Sequence, residues 1–453
     1  MFRNKKATGP FARYNMSREK LQRVSLCHAP FTNLLFVQSG DIMVCHYNRG
    51  FVVGSYPESD LMSVWNGSKL KELRRSLNDY QPLESCSFCH QEILNDRFYS
   101  SGCKKYDYLA SRNHRYPKMM EFQLSNHCNL ECIMCSGEYS SSIRKNRERG
   151  LPYFNPYDAR FIQEVEKFLP YLEYASFTGG EPFLNELYFQ IWDRISVLNP
   201  NLKVSISSNA TVLNDRVKKV LSSLNCELTL SIDSIEKETY EHIRKGASLK
   251  TTLEHLEYFT NYAVKNKRLL SIKSVIMRDN VKDIPRLYRN FHNQGIQLYP
   301  KLVWVPFEHS LKYAEVAEID SAINVLQDCE WAIGNSVQKF NAERYREIIG
   351  QLIHWKEEQL AKTEIPDSLT NEVLLGRLRQ DIERSILNDM LLSHSERLEM
   401  LEHADRSLRM LFAGLDDGAS RQLLFGLIRL PGYFLINEIY RKNAEAFVGR
   451  FRV

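Results

Sequence analysis

Between about Met119 and Pro306 short apolar runs alternate with segments whose apolar residues recur at helical spacing. The runs predict strands over Glu121 to Ser125, Glu173 to Thr178, Lys203 to Ser208, Glu227 to Asp233, Leu270 to Ile276 and Leu298 to Trp304. Amphipathic stretches lie between them, such as Phe161, Ile162, Val165, Phe168 and Leu169, then Val217, Val220, Leu221 and Leu224, then Ile284, Leu287, Tyr288 and Phe291. Repeated βα units predict an α/β fold with a parallel sheet and right-handed crossovers, and six of them predict a partial (β/α)6 barrel. In Leu228-Thr229-Leu230-Ser231-Ile232-Asp233 one face is apolar and the other polar. A parallel strand buried on both faces reads as nearly all apolar, so the polar face is expected to line a ligand-filled cavity. Ligands are expected at the carboxyl ends of the strands.

The pattern changes on either side. Residues 1–22 read as a polar amino-terminal arm without periodicity. Over residues 23–110 a small α+β domain is expected: strands Phe31 to Val37 and Ile42 to Val44 joined by Gln38-Ser39-Gly40-Asp41 as a hairpin, then a helix over Ser68 to Leu77 with Ser68 as its N-cap. The barrel is expected over 115–308. Residues 309–453 read as an α-helical extension that covers the barrel mouth or binds substrate, its many arginines forming a solvated face. A chain of 453 residues exceeds one ordinary core. Its formal charge of +5 is too weak to argue for nucleic acid, and no run of about eighteen apolar residues predicts a membrane span. The basic start Met1-Phe2-Arg3-Asn4-Lys5-Lys6 has no apolar segment after it, so a cytoplasmic protein is expected.

The ten cysteines sharpen this picture. In a large chain without a leader they point to metal or catalysis rather than disulfides. Cys128, Cys132 and Cys135 lie in Cys-x3-Cys-x2-Cys spacing, directly after the first barrel strand. Three such thiolates can hold three irons of a cubane cluster and leave the fourth without a protein ligand; zinc, with His127 as fourth ligand, is the alternative. Cys27 and Cys45 are brought to one end of the expected hairpin, and Cys86-Ser87-Phe88-Cys89 forms a knuckle. Together these four make a site that zinc or a second 4Fe-4S cluster would satisfy. Cys103 is either a spare thiol or a ligand replacing one of the four. Cys226 and Cys329 are expected as buried filler.

The segment from Ser125 to Gly137 resembles the cluster loop of the radical S-adenosylmethionine (SAM) superfamily. That resemblance implies a SAM-binding 4Fe-4S cluster on Cys128, Cys132 and Cys135, reductive cleavage of SAM to a 5′-deoxyadenosyl radical, and hydrogen abstraction from a substrate. Met134 stands where the family often has an aromatic residue, and its thioether can cover the cluster or pack on adenine. Thr178-Gly179-Gly180-Glu181-Pro182 is similar to the family motif that binds the amino group of SAM. Ser207 and Asn209 fall in the ribose-contacting segment, and Ser231 and Arg244 match the motif expected near its carboxylate. Lys273 and Asn280 fit the fifth-strand pattern loosely. The order Cys27, Gly40-x4-Cys45, Trp65-Asn66 and Cys86-x2-Cys89 resembles the twitch domain, the half-length SPASM domain, which implies an auxiliary 4Fe-4S cluster on Cys27, Cys45, Cys86 and Cys89. Such domains usually follow the barrel; this one precedes it. The resemblance spans residues 27–305 and implies an electron donor of the reductase, flavodoxin or ferredoxin type. A peptide or protein substrate is expected first, and a small molecule such as a sugar or aminocyclitol second. A non-enzymatic metal-binding scaffold is the rival from another class.

Overall fold

The computed structural model describes residues 8–48, 50–98, 101–110, 115–329, 331–363, 368–387, 394–430 and 432–441. The chain divides into two compact units, residues 1–273 and 274–453. That boundary falls inside a sheet strand, where the sequence pattern had suggested residue 308.

The strands are β1 (Asn33–Val37), β2 (Asp41–Met43), β3 (Gly54–Ser55), β4 (Met119–Gln123), β5 (Tyr174–Phe177), β6 (Lys203–Ser208), β7 (Asn225–Ser231), β8 (Leu270–Ile276) and β9 (Gln297–Leu302). They form one sheet in the order β3-β2-β1-β4-β5-β6-β7-β8-β9, with helices between successive strands from β5 to β9. From β4 to β8 the pairing is parallel. All six expected barrel strands are present. Most shift by one or two residues, because the apolar run marks the buried part of a strand better than its hydrogen-bonded ends. β4 begins at Met119, where it pairs with Asn33 and Tyr174.

The amino-terminal hairpin forms as expected, β1 against β2 with Leu35 opposite Met43. The hairpin also extends the main sheet: β1 pairs in parallel with β4 over five residues, Leu35 beside Glu121. The polar arm is corrected as well. Pro10–Met16 is helical, Tyr14 is buried, and the Arg18 guanidinium is buried in an ion pair with Asp107 at 2.7 Å. A buried, paired charge lacks the apolar periodicity that marks a packed segment. Residues 1–7 of that arm lie outside the described residues. The helix after the hairpin runs Ser68–Asn78 and buries Leu70, Leu73 and Leu77; Gly67, not Ser68, is its N-cap.

The two faces of the sheet differ as the alternation predicted. Phe36, Phe122 and Phe177 stack across β1, β4 and β5, with ring centroids 5.5 and 4.9 Å apart. Phe161, Tyr188 and Trp192 of the covering helices pack edge-on against them. On the opposite face β5, β6 and β7 alternate buried and half-exposed residues. Register aligns a polar row there, Glu121, Ser176, Ser205 and Glu227, and a second one, Ser207, Thr229 and Ser271.

Among its described residues the second unit holds β9, the helix Ile284–Asn293 and six further helices between Val316 and Arg441, with a core that includes Leu374, Leu378, Ile382, Leu408 and Leu427. Asn280 bonds to the backbone of its own turn there. Cys226 and Cys329 are buried, as filler thiols should be.

Candidate metal centres

The first centre is built on the loop that leaves the carboxyl end of β4. The loop is held on three sides. On its downstream side the helix Ser141–Asn146 points hydroxyls back at it: Ser140 Oγ donates to Leu130 O at 2.6 Å, Ser142 Oγ donates to Cys128 O at 2.8 Å, and Ser141 Oγ accepts from Cys128 N at 3.2 Å. Arg147 donates to Cys132 O at 3.1 Å. On a second side the amides of Glu131 and Ile133 donate to the carbonyls of Lys245 and Ile243, at 2.8 and 2.9 Å. Arg244, between those carbonyls, is buried and ion-paired with buried Asp233 at 2.8 Å. Its Nε has no hydrogen-bond partner among the described residues.

The third side is the turn after β5, and here the two glycines are required. Gly179 and Gly180 have φ of 87° and 55°, a backbone region that L side chains adopt at a cost. A Cβ at Gly180 would lie 2.2 Å from His127 O, and one at Gly179 2.9 Å from Ser125 O. The pair therefore lets this turn touch the cysteine loop, an approach completed by Glu181 N donating to His127 O at 2.8 Å. The Glu181 side chain turns away from solvent and is fully buried. It accepts from Ser208 Oγ at 2.9 Å, Asn209 N at 2.7 Å and Phe183 N at 3.1 Å, which ties the ends of β5 and β6 together. Asn209 in turn donates to Asn129 Oδ1 at 3.0 Å and reaches Cys128 Sγ at 3.9 Å.

The sequence-predicted residues thus divide. The structure brings Cys128, Cys132 and Cys135 together with Gly179, Gly180, Glu181, Asn209 and Arg244. Ser207 and Ser231 lie half-exposed on the polar face, near the same ends of β6 and β7. Met134 is half-exposed, and His127 is exposed. Sequence reasoning missed the supports: Ser140, Ser141, Ser142, Arg147, Asp233, Asn129 and Thr211, whose hydroxyl bonds Asn129 at 2.9 Å. The run of three serines after the loop was a signal; Asp233 showed only as one polar position in an alternating strand.

Burial pushes the Cys128 and Cys135 thiols up to about 11 and about 12, with the charge on Cys132 adding to both. Burial also raises Cys132, opposed by the Arg244 charge. Thiols raised in this way hold their protons at neutral pH unless a bound cation offsets the charge.

The burial of Glu181 pushes its carboxyl up to about 7, despite the backbone donors. The folded chain therefore takes up a proton between about 4.5 and about 7 that the unfolded chain does not, and stability falls as pH rises through that window. Glu181→Gln is expected to flatten this part of the stability-pH curve, removing a change on the order of 2–3 kcal/mol. Thermal unfolding of both proteins between pH 5 and 8 measures it; parallel curves would contradict the assignment.

The second centre lies in the hairpin region. Cys27, Cys45, Cys86 and Cys89 line one pocket, partly open to solvent, and Cys103 lines it with them. Ala29 N donates to Cys27 Sγ at 3.4 Å, and Asn48 Nδ2 to Cys86 Sγ at 3.3 Å. Burial pushes Cys45 up to about 12 and Cys86 up to about 11. Among the described residues no three His, Cys, Asp or Glu side chains are drawn together closely enough to hold a single metal ion.

Residues 122–291 match the model of the radical SAM superfamily. The chain carries a radical SAM domain. Residues 27–90 match the iron-sulfur cluster-binding SPASM domain, which here precedes the radical SAM domain. A radical SAM domain is a SAM-cleaving enzyme domain that binds SAM at a 4Fe-4S cluster, and the SPASM type carries an auxiliary iron-sulfur centre. The three-thiol loop and the thiol-lined pocket fit the two clusters in the chemical kind of their donors. Among curated relatives, the chain is similar to a probable GTP 3′,8-cyclase of Methanocaldococcus jannaschii, 22% identical over 47% of this chain and 67% of that protein. It is similar also to a GTP 3′,8-cyclase of Clostridium botulinum, 20% identical over 40% of this chain and 56% of that protein. A third is the tungsten-containing aldehyde ferredoxin oxidoreductase cofactor-modifying protein of Pyrococcus furiosus, 24% identical over 40% and 49%. The chain thus spans about half to two thirds of the length of these relatives. Among solved structures, anSMEcpe with bound AdoMet aligns at a TM-score of 0.37, 20% identical over 46% of this chain and 59% of that one. Streptococcus suis SuiB bound to S-adenosylmethionine aligns at 0.34, 14% identical over 59% and 60%.

The radical SAM domain and the SPASM-type pocket meet at Glu121. This carboxylate, buried on the polar face of β4, accepts from Asn33 Nδ2 at 2.7 Å and Tyr106 OH at 2.8 Å, and pairs with Lys105 and with His46 at 3.3 Å. Tyr106 lines the thiol pocket, and His46 follows Cys45. Burial would push the Glu121 carboxyl up, but Lys105 and His46 outweigh it and hold the group at about 2. Glu121 is therefore a fixed negative charge, paired with exposed Lys105 and half-exposed His46. No helix among the described residues is long and apolar enough to cross a membrane.

Proposed function

We propose that the chain abstracts hydrogen from a polar substrate held against the polar face of the sheet, which we read as the inside of a partial (β/α)6 barrel. A cluster on Cys128, Cys132 and Cys135 with SAM at its open iron supplies, when bound, reductive cleavage of SAM and the 5′-deoxyadenosyl radical. The observation that carries the reading is the joining of the cysteine loop to the β5 turn, the β6 end and the Arg244 segment in one hydrogen-bonded body. Each segment has a role in that reading. The Gly179 and Gly180 backbone accepts from the SAM amino group, and Glu181 fixes the turn from behind. The half-exposed hydroxyls of Ser207 and Ser231 face the ribose and the carboxylate. Asn209, already bonded to Asn129, orients the loop beside Cys128. Arg244, with an unused buried Nε, supplies positive charge for the carboxylate and for the thiolates. Met134 covers the outer side.

For the substrate we take a peptide or protein first, with Lys105, exposed beside Glu121, offering a cation to a carboxylate or backbone carbonyls. A small molecule is the second reading, and the relatives named as GTP 3′,8-cyclases favour it. Ten unbridged cysteines suit a reducing cytoplasm and a flavodoxin- or ferredoxin-type electron donor. Anaerobic protein given a chemical reductant and SAM should form 5′-deoxyadenosine, and a partner peptide should increase that yield. Indifference to every peptide, with an increase from a nucleotide or sugar, would select the second reading. No 5′-deoxyadenosine under any condition would return the chain to a metal-binding scaffold.

A further inference from the structure

The surface beside the cysteine loop carries large apolar side chains that no core takes up. Leu151 and Phe154 are each 83% exposed, and Pro152 and Tyr153 between them are exposed as well. Single exposed apolar residues are ordinary, but a run of them rimmed by charge marks a contact surface. This run is anchored at both ends. Arg144 grips its start, donating from Nε to Leu151 O at 3.0 Å and lying over the Tyr153 ring at 4.7 Å. Beyond its far end Tyr157 is buried and donates its hydroxyl to Val37 O at 2.6 Å. The apolar side chains are therefore held out to solvent by a pinned segment.

The rim is basic. From Arg144 to Arg149 the chain carries four cations and one anion. That anion, Glu148, is already paired with Arg144 at 3.2 Å and accepts from Gly137 N at 2.7 Å. Lys145, Arg147 and Arg149 are exposed. The same segment touches the cysteine loop, because Gly137 lies two positions after Cys135 and Arg147 donates to Cys132 O at 3.1 Å. It does so on the downstream side of the loop, whereas the β5 turn, read above as the seat of the SAM amino group, borders another side.

We propose that this surface docks an acidic electron-carrier protein that reduces the cluster on Cys128, Cys132 and Cys135. The inference rests on that cluster, since reductive cleavage of SAM consumes an electron that a carrier must deliver. The carrier is oxidised by one electron and the cluster is reduced by it, with no bond made or broken between the two proteins. The basic rim selects an acidic partner and speeds the encounter. The apolar centre holds the short-lived complex together. Its few residues suit the size of electron-transfer encounters, which bury less than about 1,200 Å².

The test compares flavodoxin and ferredoxin, two acidic carriers, with dithionite on the full-length, cluster-loaded protein without oxygen. Two double variants change only exposed side chains outside the SAM site: Lys145→Glu with Arg149→Glu, and Leu151→Ser with Phe154→Ser. Each should weaken binding of the oxidised carrier, followed by biolayer interferometry, at least about tenfold at low salt. Carrier-driven 5′-deoxyadenosine formation should slow with it, while the dithionite-driven rate stays that of wild type. Wild-type binding should weaken as salt rises. Variants that bind the carrier as wild type does, or a wild type that binds neither carrier, overturn the docking alone when dithionite still drives SAM cleavage. An equal loss with dithionite also overturns it and traces the effect to the cysteine loop. A loss confined to peptide-stimulated turnover under dithionite makes the surface a substrate dock instead. Wild type that forms no 5′-deoxyadenosine with dithionite overturns the proposal together with the reading beneath it.

Discussion

Alanine at Cys128, Cys132 and Cys135 together removes about four of about eight irons and all SAM cleavage, while the fold survives. The fold survives because the loop is held by its backbone rather than by its thiols. Ser140, Ser142 and Arg147 bond its carbonyls, and the strand-like contacts to Ile243 and Lys245 use its amides. The thiols, raised by burial, carry no charge in the metal-free protein at neutral pH, so removing them should change its thermal stability little. Iron analysis, circular dichroism and 5′-deoxyadenosine yield measure the three parts of this result. Loss of all iron would mean that the two centres assemble together; loss of none would remove the cysteine loop as a cluster site.

Gly180→Ala should damage the same centre without touching a thiol. Positive φ alone costs about 1–2 kcal/mol for a non-glycine residue. The larger effect is the added Cβ, 2.2 Å from His127 O in a segment bonded on three sides, which must push the loop away from the β5 turn. We expect iron to fall toward half and SAM cleavage to fall at least about tenfold, equivalent to about 1.4 kcal/mol in the barrier. Gly295→Ala is the matched control: its φ is 68°, but nothing lies within 4 Å of the added atom. It should show the strain and no loss of iron. Equal losses in both variants would trace the effect to backbone strain rather than contact with the loop.

How much of this was legible in the chain follows from how local each signal is. The strands and their polar faces could be read because alternation at period two is local, and β6 and β8 have the expected bounds. The cysteine loop could be read because its three thiols are neighbours in sequence. By contrast, the joining of β1 to β4 is a pairing between residues more than eighty positions apart, which no local pattern contains. The roles of Gly180 and Glu181 were legible only as a motif; their close contact with His127 and burial against Ser208 and Asn209 depend on the packing of strand ends. Cys103 stood outside every spacing pattern and entered the pocket by tertiary folding alone. Arg18 and Asp107 explain the misread arm: two charged residues look solvated in sequence, and only their pairing makes burial affordable.

The central claim is an iron that lacks a protein ligand and is open to SAM beside Cys128, Cys132 and Cys135. Electron paramagnetic resonance of the reduced, oxygen-free protein, recorded before and after SAM is added, tests it most directly. The account predicts a reduced 4Fe-4S signal whose g values move on addition of SAM, and that signal alone is missing from the triple alanine variant. A spectrum that SAM leaves unchanged, in protein carrying its full iron, would contradict it.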